Sequence, residues 1–310
     1  MTNQLAIDAT EATLGAVVTG VRLSNLRDDE WSKIESGFNE HALLIFPRQS
    51  LTDEQQMTFG RRFGELVIES LPFSNEHANG KLRKADDPLM RLFRGNEGWH
   101  TDSSFQPLSA KASILSARKV PPSGGGETEW ADMRAAYDAL DPATRERIEG
   151  LNAYHSLYHS QARIGAENDA TAQGLAVLHT QPGSPSGNPS DSASQDAAVS
   201  AGYSDTGKIP LRPLVKIHPV TQRPALFIGR HAYGIPGLEP AESDKLLEDL
   251  VAFACQPPRV YQHRWQVGDV VIWDNRCVLH RARPWNLDQA RVMLHTRVNG
   301  DPATELAITG

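Results

Sequence analysis

Gly95-Asn96-Glu97-Gly98-Trp99-His100-Thr101-Asp102 is the stretch from which the rest of the chain can be read. Its first residues are too rich in glycine for a helix, and an apolar, β-branched pattern begins after Phe105, which predicts a loop feeding a strand. On an extended backbone, residues two apart point to one face. His100 and Asp102 would therefore offer an imidazole nitrogen and a carboxylate oxygen to a common point. Such a pair is two-thirds of the 2-His-1-carboxylate set that holds a non-haem Fe(II) and leaves positions on the metal open. A His-x-Asp triplet alone is common by chance, so the case depends on what lies farther along.

Upstream, residues 12–22 read as a strand pair bent at glycine. Asp28 to Phe38 has the period of an amphipathic helix. Ala42-Leu43-Leu44-Ile45-Phe46, ended by Pro47, reads as a buried strand. Thr52-Asp53-Glu54-Gln55 is a capping box opening a second helix, and 66–94 shows no clear period, as a loop and edge strand near the mouth of a site would. Downstream, Ala112 to Val120 is a strand, Gly124-Gly125-Gly126 is on its simplest reading a flexible turn, and Asp132 caps a helix, with another helical turn after Pro142. Leu211 to His218 and Pro224 to Ile228 read as a hairpin. From Glu239 to Ala254 the apolar Leu246, Leu247, Leu250, Val251 and Ala254 fall on one helical face. Gly268 to Asn275 leads into a buried strand, and Arg291 to Val298 is a last strand. Many short strands broken by a few helices predict a mainly β protein, a double-sheet or barrel core with helices packed outside. Around 165–207 the composition turns low-complexity (Pro182-Gly183-Ser184-Pro185-Ser186-Gly187), which reads as a disordered or mobile insertion within one domain spanning 1–310.

Composition narrows the partners. With 39% hydrophobic and 22% charged residues in 310, the chain is of ordinary globular make-up. A net charge of −7 with no basic run speaks against nucleic acid or an anionic membrane surface. No apolar run approaches the ~18 residues of a membrane span, and Met1-Thr2-Asn3-Gln4 has neither the basic nor the apolar part of a leader. Cys255 and Cys277 make no disulfide framework or zinc spacing. A reducing cytoplasm is the expected compartment.

The C-terminal part supplies the missing ligand. Asp274-Asn275-Arg276-Cys277-Val278-Leu279-His280 ends on a histidine, which could equally be a core residue. In the last strand Arg291, Met293, His295 and Arg297 share one face and Val292, Leu294, Thr296 and Val298 the other. Burying two arginines and a histidine without an anionic partner is costly. An arginine fork grips a carboxylate with two parallel hydrogen bonds, which suits an anionic co-substrate. Cys277 reads as a small buried filler, Trp99 and Trp273 as walls, and His155, His159, His218 and His263 as packing or surface groups.

Taken together, Trp99-His100-Thr101-Asp102, Gly125-Gly126-Glu127-Thr128, Trp273-Asp274-Asn275-Arg276 through His280, and Arg291 with Gly300-Asp301 resemble the taurine / 2,4-dichlorophenoxyacetate dioxygenase family of Fe(II)- and 2-oxoglutarate-dependent oxygenases, from about Gly15 to Asp301. The resemblance implies a double-stranded β-helix (jelly-roll) core, iron held by His100, Asp102 and His280, and Thr128 and Arg291 on the distal carboxylate of 2-oxoglutarate. It places Asn96 against the substrate. It further implies O2 as oxidant, release of succinate and CO2, and a dimer or tetramer. Asp102 argues for hydroxylation, since related halogenases replace this carboxylate with a small residue. The substrate end departs from the pattern: taurine-type members place a second arginine four residues after the first, where this chain has His295. Arg297 comes two residues later, about 20 Å along an extended strand from Arg291, against about 13 Å for His295. Arg230 and His231 are rival anion grips. Taurine-type members also carry a histidine near Ser70-Leu71 that is not found here, so taurine is not the expected substrate; a small organic carboxylate, aryloxyalkanoate-like, is. Two alternatives stand beside hydroxylation: desaturation or cyclisation by the same oxidant, and a jelly-roll anion-binding module without catalysis.

Overall fold

The computed structural model describes residues 4–165 and 209–308, so the low-complexity stretch falls outside the described residues beyond Gly165. The chain runs β1 (Ala6–Ala9), β2 (Ala16–Thr19), α1 (Asp28–His41), β3 (Leu43–Phe46), α2 (Asp53–Arg61), β4 (Leu66–Ser74) and α3 (Pro88–Arg94). After the His100 segment come β5 (Ala110–Lys119), β6 (Thr128–Asp132), α4 (Met133–Asp138), α5 (Pro142–Ile148), β7 (Asn152–His155) and α6 (Leu157–Gly165). Then follow β8 (Leu211–Pro213), β9 (Val215–Ile217), β10 (Pro224–Leu226), β11 (Ala232–Tyr233) and α7 (Pro240–Ala254). The C-terminal part holds β12 (Val260–His263), β13 (Val270–Asp274), β14 (Val278–Ala282), β15 (Val292–Asn299) and α8 (Pro302–Glu305).

Seven strands form one sheet in the order β1-β2-β3-β13-β5-β15-β4, and three form another in the order β12-β6-β14. Period-two alternation explains how the larger sheet is buried on both faces. From β13, Val271 and Trp273 join Leu115, Met293, Trp130 and Leu279 in the core between the two sheets. Val270 and Ile272, one residue out of phase, pack with Ile34, Phe38, Phe46 and Phe59 under α1 and α2. Each such side chain withdrawn from water contributes ~1.5–3 kcal/mol before ordering entropy is counted. The architecture is thus a jelly-roll with helices outside, as expected. The smaller sheets β11-β7-β8 and β10-β9 extend it. Among the described residues no helix is long and apolar enough to cross a membrane.

Local chemistry accounts for the helix starts. Thr52 accepts the Gln55 N–H at 3.2 Å while the Gln55 side chain accepts the Thr52 N–H at 2.9 Å, the reciprocal box expected before α2. Asp132 accepts from the N–H groups of Arg134 and Ala135. Three expectations need correction. Of the pair expected in 12–22 only β2 lies there; its partner β1 is upstream, because Thr10 to Gly15 make the turn and Gly15 sits at φ +93°. The aperiodic 66–94 contains the edge strand β4 but also α3, begun by Asp87 as N-cap and Pro88 at the first helical position. Finally, 211–218 is two strands: β8 pairs with β7, and only β9 makes the hairpin with β10, the break falling at the fully buried Leu214.

Candidate active site

The glycine-rich start expected as a loop is a 3-10 helix, Gly95–Glu97, continuing α3, and the segment after it meets β14 at a single pair of residues. His100 N–H donates to the His280 carbonyl at 3.0 Å and His280 N–H to the His100 carbonyl at 2.7 Å. Two residues 180 positions apart are thereby fixed to one another by backbone alone, with ring centroids 4.1 Å apart. Asp102 joins them: one ligand atom from each of His100, Asp102 and His280 lies within 4.8 Å of the others, and His280 Nε2 is 3.8 Å from Asp102 Oδ2. All three are buried. Burial pushes the His100 imidazole down to about 4, against the pull of Asp102, and drives His280 well below its ordinary value. Burial opposes ionisation of Asp102, but the Arg297 guanidinium outweighs it and holds the carboxyl well below the usual range. At neutral pH the set is therefore two neutral imidazoles and one carboxylate, the protonation state a divalent first-row metal requires. His100 Nδ1–H donates to the Gly98 carbonyl at 2.8 Å, which leaves Nε2 as the free lone pair. Among the described residues His280 Nδ1 is buried without a partner. The residues fit the metal.

The Asp102 carboxylate is held from behind. Ser113 Oγ donates to Oδ2 at 2.6 Å and Arg297 Nη2 to Oδ1 at 2.8 Å. Asn275 Nδ2 donates to Ser113 Oγ at 2.9 Å, and Asn275 Oδ1 in turn accepts the Trp273 indole N–H at 3.0 Å. The Thr101 hydroxyl donates to the Asn275 carbonyl at 2.7 Å. Sequence reasoning missed Ser113 and Asn275 as site residues. The available signal was a serine inside the otherwise apolar Ala112-Ser113-Ile114-Leu115, where only a polar neighbour makes burial tolerable.

His100, Asp102, His280 and Trp273 line a pocket whose wall also carries Thr128, Arg291, His295 and Asn96. Thr128 opens β6 and accepts the Trp265 indole N–H at 3.0 Å. Arg291 is 6% exposed; its Nε donates to the Gly126 carbonyl at 3.1 Å, and its guanidinium lies 5.1 Å from the Trp285 ring centroid. Burial lowers it to about 10, opposed by Glu127, so it stays cationic at neutral pH. Among the described residues no carboxylate pairs with it. The glycine run is more than a flexible turn: Gly126 sits at φ +70°, and a Cβ there would meet Arg291 Nε at 2.7 Å. Asn75, another residue the sequence did not single out, accepts the Arg291 N–H at 2.7 Å and donates to the carbonyls of Leu287 and Gln289, tying the loop before β15 to the end of β4.

The substrate candidates separate. His295 is 2% exposed, stacks on Trp273 at 6.1 Å, and among the described residues has both ring nitrogens without a hydrogen-bond partner; Nε2 lies 3.5 Å from Asp102 Oδ2 without the alignment of a hydrogen bond. Arg297 is not on the cavity wall. It stands behind Asp102, its Nη1 on the Ser103 hydroxyl at 3.0 Å, because the carboxylate supplies the anion that a buried guanidinium needs. Arg230 and His231 are not on that wall either: the Arg230 side chain lies over Gly95 and Gly98, and His231 Nδ1 is 2.9 Å from Ser160 Oγ with its ring against Phe105. A second convergence, His218 with Asp274 and Cys277, is structural. His218 Nδ1 accepts the N–H groups of Val220 and Thr221, so Nε2–H donates to Asp274 at 3.0 Å; Arg276 occupies both Asp274 oxygens, and burial pushes the Cys277 thiol up.

Residues 6–297 match the model of the taurine catabolism dioxygenase TauD, TfdA family. The chain is 49% identical, over 96% of each chain, to a protein of Sphingobium herbicidovorans named (S)-phenoxypropionate/alpha-ketoglutarate-dioxygenase. It is 45% identical, over 98% of each, to a protein of that name from Delftia acidovorans. Among solved structures, AAD-2 in complex with Mn(II) and N-oxalylglycine is 36% identical, with a TM-score of 0.82 over 99% of this chain and 100% of that one. With a 2-His-1-carboxylate site on a jelly-roll and a family match over nearly its whole length, the chain belongs to the TauD/TfdA family of dioxygenases, oxidoreductases that use Fe(II), 2-oxoglutarate and O2.

Proposed function

We propose that His100, Asp102 and His280 hold the Fe(II), that Arg291 and Thr128 hold the distal carboxylate of 2-oxoglutarate, and that a small aryloxyalkanoic acid of the phenoxypropionate kind is hydroxylated beside them at its ether-bearing carbon. One observation carries the reading: Arg291, a buried guanidinium without a carboxylate partner among the described residues, shares a cavity with a neutral-imidazole and carboxylate donor set. Leaving that charge unanswered would cost several kcal/mol, so an anion belongs there. The substrate class is supported by the two relatives named for phenoxypropionate and by the cavity wall, where Phe73, Phe93 and Leu115 offer apolar contact.

Bound together, Fe(II) and 2-oxoglutarate supply oxidation of an unactivated carbon by O2, coupled to decarboxylation of the co-substrate to succinate and CO2. The protein's residues bind and orient. Arg291 presents its remaining N–H donors in a fork matched to a carboxylate. Thr128, already accepting from Trp265, turns its hydroxyl hydrogen to the same anion. His295 donates one N–H to the substrate carboxylate and Asn96 lies beside it, in place of Arg297, Arg230 and His231. Apolar walls exclude water.

A hydroxyl on the ether carbon makes a hemiketal, which falls apart to a phenol and a 2-oxo acid. With 2-phenoxypropionate the expected products are therefore phenol, pyruvate, succinate and CO2 in equal amounts. A panel of small acids and sulfonates scored by succinate and phenol release tests this, and taurine should give neither. A product two mass units lighter than the acid, with no phenol, would replace hydroxylation by desaturation or cyclisation. The association into a dimer or tetramer is part of the same reading, checked by light scattering. Gly126→Ala should raise KM for 2-oxoglutarate on the order of tenfold, the value of a lost charge-assisted hydrogen bond, with little change in metal binding; an unchanged KM would remove the Gly126–Arg291 contact from this account.

A further inference from the structure

The turn that follows the Asp102 carboxylate has a strained backbone. Ser103, the next residue, sits at φ +56°, a left-handed conformation disfavoured for any residue but glycine. Ser103, Ser104 and Phe105 are buried in a turn that belongs to no strand, so their carbonyls have no sheet ladder to join. One hydrogen bond closes the turn locally, from the Gln106 N–H to the Ser103 carbonyl at 3.0 Å. A strained residue persists only where its surroundings impose it, and here it stands directly beside the carboxylate of the donor set.

One side chain from another strand braces that turn. Arg212 on β8, 1% exposed, donates from Nε to the Ser104 carbonyl at 2.6 Å and from Nη2 to the Gln106 carbonyl. Its Nη1 donates to the Glu305 carbonyl at 3.0 Å, so the fork spans from the turn to the end of α8. Among the described residues every acceptor of this fork is a backbone carbonyl. The Glu305 carboxylate is taken instead by Lys216 and, at 2.9 Å, by the Ser109 hydroxyl. Burial lowers the Arg212 guanidinium to about 10, opposed by Glu305, and it stays cationic at neutral pH. The far anchor gives Gly300-Asp301 a reason of its own. A Cβ on Gly300 would meet the Ser109 carbonyl at 2.1 Å, and Asp301 caps α8 by accepting the Ala303 N–H at 2.9 Å. Beyond α8, the Ala307 N–H donates to the Pro107 carbonyl at 2.8 Å, which ties the C-terminal segment to the other end of the turn.

We propose that Arg212 is a positioning residue for the metal site: by gathering the carbonyls of the turn after Asp102 against the C-terminal segment, it holds Ser103 left-handed and aims the Asp102 carboxylate at the two histidines. The proposal rests on the reading of Asp102 as a ligand. Ser113 and Arg297 grip the carboxylate oxygens, but neither holds the backbone that carries them. With the fork gone, the Ser104 and Gln106 carbonyls lose their donors and Ser103 can relax to an ordinary conformation. A lysine in its place keeps the charge yet has no planar fork with which to span carbonyls on both sides. Arg212 itself lies away from the wall of the main cavity, so it acts only through the turn.

The test measures Mn(II) binding to the metal-free protein beside its thermal midpoint. Arg212→Lys should raise the Kd for Mn(II) at least about tenfold, the lower end for losing a group that supports a metal ligand, and leave KM for 2-oxoglutarate at saturating Fe(II) within about threefold. Thr128 and Arg291 are not part of the turn, so a lesion confined to Asp102 spares them. Lys216→Gln is the control, since it weakens the same corner at the Glu305 carboxylate and leaves the Arg212 fork in place. It should lower the midpoint and keep the Mn(II) Kd within about threefold, because lost stability alone does not alter the affinity of chains that are folded. The split between Kd and KM in Arg212→Lys decides on its own. The role of Arg212 is overturned if Arg212→Lys binds Mn(II) as wild type does, if Kd and KM rise together, or if both variants raise Kd alike. It is overturned too if Arg212→Lys does not fold, as a residue needed only for folding would behave. Wild type that takes up no Mn(II) overturns the ligand reading itself. Wild-type Mn(II) binding that is lost in His280→Ala but intact in Arg212→Lys overturns the role of Arg212 alone.

Discussion

Anaerobic titration of His280→Ala with Fe(II) and 2-oxoglutarate should give none of the weak visible charge-transfer band expected of the wild type, and succinate release should fall by more than about 100-fold, beyond the 10–100-fold typical of losing a group that merely supports a metal ligand. The structure makes this a clean deletion. The tie between the two histidine segments is made by backbone groups, so His100 stays where it is when the imidazole goes. Val278 and Leu279 keep β14 in the core. The lost ring contact with Trp273, centroids 4.7 Å apart, leaves a cavity, but the substitution also removes a buried Nδ1 that has no partner among the described residues, so metal-free stability should move little. The decisive comparison is stabilisation by Mn(II). A ligand that binds only the folded chain raises its stability in proportion to RT ln(1 + [L]/Kd), and His280→Ala should lose most of that rise. A band of full intensity in the variant would take His280 out of the ligand set.

Much of this architecture was legible because period and capping are local. The capping box at Thr52, the N-cap at Asp132 and the one-sided α7 depend on neighbours within four residues, and they stand where the sequence puts them. The all-buried β13 was legible for another reason: its apolar run Val270 to Trp273 has no solvent face to offer. What the sequence did not yield depends on partners far along the chain. Arg297 reads as a free cation in its strand, and only the fold brings Asp102, 195 residues away, to its guanidinium. Ser113, Asn275 and Asn75 are unremarked polar residues until their acceptors arrive from other strands. Helix α3 was hidden by its shortness, although Asp87-Pro88 is a start signal of the ordinary kind. The family likeness brought the ligand triad and Arg291 together before any coordinates did, but it could not say what a chain with His295 in an arginine's place does with Arg297.

That question has a measurable answer. Arg297→Met is expected to destabilise the metal-free protein by ~3–5 kcal/mol, the cost of stranding a buried charge, and to regain much of the loss when Mn(II) is added. In the metal-free chain Arg297 is the side-chain cation bonded to the Asp102 carboxylate, at 2.8 Å, with both groups buried. Without it the carboxylate keeps the Ser113 hydroxyl but has no counter-charge from a cation, since burial holds His295 and His280 neutral. A divalent ion at His100, Asp102 and His280 restores positive charge beside the same carboxylate. The metal-induced rise in thermal midpoint should thus be larger in the methionine variant than in wild type. Arg297→Lys keeps the charge but not the two-nitrogen fork that spans Asp102 and Ser103, so it should fall between the two. A residue that only filled space would behave otherwise: methionine would lower the midpoint by the same amount with and without metal, and lysine would be no better. Equal deficits in the two states would show that Arg297 acts through packing, and the polar face of β15 would need another explanation.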